Sequence, residues 1–180
     1  MTSTHETWPR PRTGSETYWR LLAIGLDPDR SKPELYGVIH EGKVDVPLMA
    51  DGRILFFTDP ARAAALVREY QRDLVADKTD LEKPFFWCDV AQTLHYLSTG
   101  GIDTSATVVD AVNVLLTLTS AAGATMIDRR RQALNSIANY CTVNKDLTAY
   151  FGSEGDHSSR ELIDAVLWCV GAVVAKARIV

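Results

Sequence analysis

The chain has 180 residues, of which 46% are hydrophobic, and its mean hydropathy is −0.06. That is enough apolar material to bury a core, as one domain or as a small domain with a helical extension, and it excludes a disordered acidic chain. Lys and Arg number 19 against 23 Asp and Glu: 11 basic against 13 acidic residues up to position 80, and 8 against 10 beyond it. No lobe is basic, so no nucleic-acid partner is expected.

The polar N-terminus, with Pro9 and Pro11, lacks the apolar region of a secretory signal, and residues 1–16 read as a disordered tail in which Trp8 is the oddity. Strand signals begin at Tyr18, where an aromatic and aliphatic run reaches Leu26 and stops at Asp27-Pro28-Asp29. A second strand is expected over 35–41, followed by Gly42. A third is expected over 43–49, where Val44, Val46 and Leu48 alternate with Lys43, Asp45 and Pro47. Asp51-Gly52 is a hairpin signal leading into residues 53–57. These strands form an antiparallel meander, joined by the first strand. Pro47 conflicts with a central strand, because proline donates no ladder hydrogen bond, and it belongs at an edge, an end or a bulge.

Asp59-Pro60 opens a helix over 61–75, in which Ala64, Leu66, Val67, Tyr70 and Leu74 make a face that can cover the sheet. Residues 77–84 are charged, end in Pro84 and read as a linker. Helices are then expected from Phe85 to Ser98, stopped by Gly100-Gly101; from Asp103 or Thr104 to about residue 120; from a cap at Asp128 to Val143; and from a capping box at Ser158 and Glu161 to the C-terminal region. The expected fold class is therefore α+β: residues 17–76 form an N-terminal antiparallel sheet of about four strands with one covering helix, and residues 85–180 a four-helix-like C-terminal region packed with it as one unit.

The last helix is apolar at nearly every angle. Leu162, Val166, Cys169, Val170 and Val173 share one side, Ile163, Leu167 and Val174 another, and Trp168 with Ala172 a third. It is expected at the centre of the helical half, enclosed by neighbouring helices with some homodimer contact, and Gly171 leaves room for a close approach. Its longest apolar stretch, residues 165–175, is too short to span a bilayer, which needs roughly 20 residues.

Chemical signals are sparse. Cys88, Cys141 and Cys169 are far apart and lack metal spacing, so free buried thiols in a reducing cytoplasm are expected, with no metal and no cofactor. Cys88, Gln92 and His95 fall on one side of the helix expected from Phe85, but seven residues separate Cys88 from His95 by roughly 10 Å, too far for a nucleophile–base pair. Asp89 adjoins them. On the next helix Asp110, Asn113 and Thr117 form a polar stripe that either faces water or lines a pocket between helices. Asp89, Gln92, His95, Asp110 and Asn113 are thus the ligand-pocket candidates. Asp156-His157 precedes a helix start without a second ligand at metal spacing, and His40 adjoins a turn.

Arg129, Arg130 and Arg131 occupy the first turn of a helix, where positive charge opposes the macrodipole. That conflict points to an anion, an acidic partner surface or an intramolecular carboxylate. No P-loop, GxGxxG, GxSxG, HExxH or EF-hand pattern occurs. The expected function is macromolecular binding to a protein partner, as an adaptor, inhibitor or regulator. The alternative is an enzyme or ligand-binding domain with a pocket among the C-terminal helices.

Overall fold

Leu21, Leu22, Ala23 and Ile24 are all buried, so both faces of strand β1 (Tyr18–Gly25) are covered; an uninterrupted apolar run is what such a strand requires. The computed structural model that shows this describes residues 18–30, 32–70, 78–154 and 157–180. The expected tail, Trp8 and Asp156 lie outside the described residues.

Strand β2 (Leu35–Glu41) pairs antiparallel with β1, Tyr18 opposite Glu41 and Ile24 opposite Leu35. Beyond it lies the two-residue β3 (Val46–Pro47), so Pro47 sits on an edge strand, as its missing N–H demands. The strand expected over 43–49 changes partner at Leu48, whose N–H donates to the Val38 carbonyl at 2.8 Å and whose carbonyl accepts from Leu55 at 2.9 Å. The chain continues as β4 (Met49–Ala50) and β5 (Arg53–Phe56), joined by a turn with positive φ at both Asp51 and Gly52. This is the hairpin conformation that Asp-Gly favours. No helix interrupts residues 43–57, and the meander stands with a change of sheet at its middle.

Two of the sequence boundaries are corrected. Residues 78–84, expected as a linker, and 85–89, expected as a helix start, are one strand, β6 (Lys78–Asp89). It runs parallel to β1, from Tyr18 beside Lys78 to Gly25 beside Asp89, with register shifts around Leu21. The run Phe85-Phe86-Trp87-Cys88 is rich in strand-favouring side chains, and Pro84 is tolerated because β6 is the outer strand of the order β3-β2-β1-β6. The fourth strand of the sheet is therefore this parallel one. A second sheet, β4-β5-β7, forms when β7 (Ala177–Ile179) returns parallel to β5.

The main sheet has a helix layer on each face. Leu21 and Val38 pack with Leu55, Phe57 and the Ala63 and Val67 of α1 (Pro60–Tyr70). Leu22, Ile24, Ile39, Phe86 and Cys88 pack with the C-terminal helices. Those are α2 (Val90–Thr99), α3 (Ser105–Ala121), α4 (Asp128–Val143), the single turn α5 (Leu147–Ala149) with a π turn at Tyr150–Glu154, and α6 (Ser159–Val174). Gly100 ends α2 with φ +73°; a Cβ there would meet the Thr148 hydroxyl at 3.0 Å, so glycine is required twice over.

The helical half is centred on α3, which touches β6, α2, α4 and α6, and not on α6 as its composition suggests. Helix α6 buries Leu162, Ala165, Val166, Cys169 and Val173 and leaves Leu167 51% and Val174 66% exposed. Trp168, expected to be enclosed, is only half-buried, with the Arg130 guanidinium 5.6 Å above its ring. The neighbours cover one broad face and stop. Among the described residues no helix is long and apolar enough to cross a membrane.

Candidate functional site

The five expected pocket residues are distributed over the end of β6 (Asp89), α2 (Gln92 and His95) and α3 (Asp110 and Asn113). Asp89 ends β6 and caps α2, its carboxylate accepting the Gln92 N–H at 2.9 Å. Cys88 is on the strand, 1% exposed, with its thiol directed at the Ala111 carbonyl at 3.9 Å, whereas His95 is exposed on α2 beside Tyr96. The helix face that seemed to join them is absent, because helix geometry begins only at Val90. Burial, with smaller contributions from Asp89, Cys169 and Asp110, pushes the Cys88 thiol up to about 12. A thiol held neutral is a poor nucleophile. Burial likewise pushes Cys141 up to about 12 and raises Cys169. Asp110 and Asn113 are half-buried on α3, and Asp110 has polar or charged neighbours of its own. Among the described residues no group of three or more His, Cys, Asp or Glu is placed to hold a metal ion.

The arginine run is resolved mainly by intramolecular carboxylates. Arg129 pairs with Glu161, and Arg130 pairs with Asp164 at 2.9 Å, so the first turn of α4 is tied to α6. Glu161 also closes the capping box of α6, accepting the Ser158 N–H at 3.0 Å. That backbone hydrogen bond first, and the Arg129 guanidinium next, hold its carboxyl down to about 2. Asp128, expected as the cap of α4, is instead its first residue. Ile127 takes the cap position and supplies no side-chain hydrogen bond. Arg131 makes no ion pair among the described residues.

Two surface features among the described residues bear on binding. One is a cleft of about 340 Å³ between the end of α3, the loop after it and the start of α4, lined by Leu116, Thr119, Ser120, Gly123, Ala124, Met126, Arg131 and Asn135. None of the five expected pocket residues lines it. Asn135 was missed by sequence reasoning, although it stands four residues after Arg131 and so shares its helix face. The other is the outward side of α6, where the exposed Leu167, Gly171 and Val174 recur at helical spacing while Ile163 and Val170 are partly buried against the core. A Cβ on Gly171 would meet nothing within 4 Å. The composition of α6 drew attention to these residues, but nothing local distinguishes a residue facing α3 from one facing solvent.

The fold and its surface define an α+β protein with a mixed four-stranded sheet, a short helix on one face and a helical layer on the other, with an apolar strip on its last helix. No family model and no curated protein matches the sequence. Among solved structures the chain is similar to the C-terminal domain of SatS, determined in complex with bromine, with a TM-score of 0.57 and 11% identity over 90% of this chain and 94% of that one. At that identity the likeness concerns the fold alone.

Proposed function

We propose that this protein acts by binding another protein, and that its docking surface is the outward strip of α6. The observation that carries the reading is the spacing Leu167, Gly171, Val174: two exposed apolar side chains four residues before and three after a glycine that the fold itself leaves open. A mid-helix glycine is unfavourable by roughly 0.5–1 kcal/mol relative to alanine. Here no neighbour among the described residues occupies the space it leaves. A helix laid across the strip would use that space, because a missing side chain admits a close backbone approach and its flanking side chains act as ridges. The occupant proposed is therefore an apolar helix of a different polypeptide, met in the cytoplasm, where buried free thiols such as Cys88 and Cys169 are at home.

The test combines sedimentation with partner recovery from the native host, using the wild type and Leu167→Asp/Val174→Asp. Expected are a monomeric wild type and a stoichiometric protein partner that the double variant fails to retain while keeping its thermal midpoint. A wild-type dimer that the double variant converts to monomer would assign the strip to a second copy and overturn the adaptor reading. Partner retention by the double variant would overturn the strip itself.

A further inference from the structure

A second, independent surface is the cleft between α3 and α4. We infer that it is a binding site for a small organic carboxylate with an apolar tail, and that Arg131 is its anion contact. Three arginines in one first turn set like charges beside each other and against the helix dipole. Arg129 and Arg130 are compensated by Glu161 and Asp164 of α6. Arg131 has no such compensation within the described chain, and it is the one that lines the cleft.

The rest of the lining defines the ligand's other half. Asn135, four residues on, sets an amide beside the guanidinium, and Ser120 adds a hydroxyl from α3. Neither makes a side-chain hydrogen bond within the described chain, so both are available to a bound group. Leu116, Ala124 and the buried Met126 supply apolar wall and floor. The Thr119 hydroxyl is buried with no well-formed hydrogen bond; it lies beside the Cys169 thiol, a weak partner, and lowers that thiol against the larger raising effect of burial. Gly123, at φ +68° with open space where a Cβ would stand, keeps the mouth clear.

A volume of about 340 Å³ falls in the range of small-ligand sites, roughly 300–1,000 Å³, and a few polar groups in apolar walls is their usual composition. One uncompensated guanidinium matches one carboxylate, which it can hold through two parallel hydrogen bonds. A doubly charged phosphate would find no second cation among the described residues that line the cleft.

The probe is sodium hexanoate, titrated into the full-length protein and followed by NMR at the Asn135 side-chain amide. Saturable binding is expected, about tenfold weaker in Arg131→Gln and unchanged in Arg129→Gln, because one charge-assisted pair is worth about that factor. Hexanol and inorganic phosphate should each bind at least about tenfold more weakly than hexanoate, since each satisfies only half of the site. Ala124→Phe, which fills the cleft without altering its charge, should abolish the titration while Arg131 remains. No saturable shift up to about 10 mM, the regime of the weakest useful affinities, would overturn the proposal, as would equal affinity in Arg131→Gln. The α6 double variant should titrate like wild type, so this site and the protein-docking strip fail or stand separately.

Discussion

Cys88, Cys141 and Cys169 show how burial alone can remove a residue from the list of reactive groups. Each is buried, and each thiol is raised above its ordinary value of about 9 chiefly for that reason. A thiol-specific disulfide reagent at pH 8 is expected to modify none of the three in the folded protein and all three after denaturation; prompt reaction of one thiol in the native state would show that its enclosure is incomplete. Glu161 is the opposite case, a carboxylate lowered to about 2 by the Ser158 N–H and then by Arg129. A carboxyl whose folded value lies below its unfolded value adds stability above the unfolded value, about 4.5, and loses it as pH falls toward 2. Glu161→Gln is therefore expected to flatten the fall of the thermal midpoint between pH 5 and pH 2.5, by an amount that solvent screening keeps small; an unchanged slope would remove Glu161 from the acid response. The capping box itself was legible, because Ser158 and Glu161 declare it within four residues of sequence. The arginine partners were not, since Glu161 and Asp164 lie more than thirty residues from Arg129 and Arg130 and only the crossing of α4 with α6 brings them together.

At the scale of elements, periodicity served where one face was buried and failed where two structures fit one pattern. Asp51-Gly52 marks the turn between β4 and β5, so that hairpin was readable, whereas the alternation of Val44, Val46 and Leu48 does not follow burial: Val44 and Val46 are exposed and Pro47 is buried. Residues 85–89 fit the apolar spacing of the helix that follows them, and the boundary is decided by strand pairing of β6 with β1, which no local signal reports. Helix α6 shows the same limit: nearly every angle is apolar, but its neighbours among the described residues cover only one side. Leu162→Ala, at a fully buried position, is expected to cost about 2–5 kcal/mol in denaturant unfolding, against less than about 0.5 for Leu167→Ala. Comparable costs at the two positions would mean that the strip is occupied in the protein as isolated. Trp168→Ala should fall below the usual cost of about 3–5 kcal/mol for a core tryptophan, because Trp168 is only partly buried, with Arg130 over its ring.

Across the whole molecule the least legible feature is the closure of the chain on itself. Strand β7 follows α6 immediately and pairs parallel with β5, Ile54 beside Ala177 and Phe56 beside Ile179. Ile54 donates to the Lys176 carbonyl at 2.9 Å, and Val180 donates to the Phe56 carbonyl at 2.8 Å while packing on the cluster around Leu55 and Phe57. Three residues carry too little periodicity to announce a strand, and parallel pairing across such a span leaves no turn signal. The consequence is mechanical, because the C-terminal end of α6, where Gly171 and Val174 lie, is tied to the N-terminal half through this short strand. Removal of residues 177–180 exposes the edge of β5, deletes ladder hydrogen bonds worth about 0.5–1.5 kcal/mol each and uncovers part of the Leu55 and Phe57 cluster. The core around α3 keeps its partners, so the shortened protein is expected to fold with a thermal midpoint lower by about 5–10 °C, as a loss of about 2–3 kcal/mol implies for a chain of this length. Hydrogen exchange should accelerate most at the amides of β5 and of the last turn of α6, and least in α3. Uniform acceleration would mean that the two halves unfold as one unit, and an unchanged midpoint would show that β7 contributes nothing to holding α6 in place.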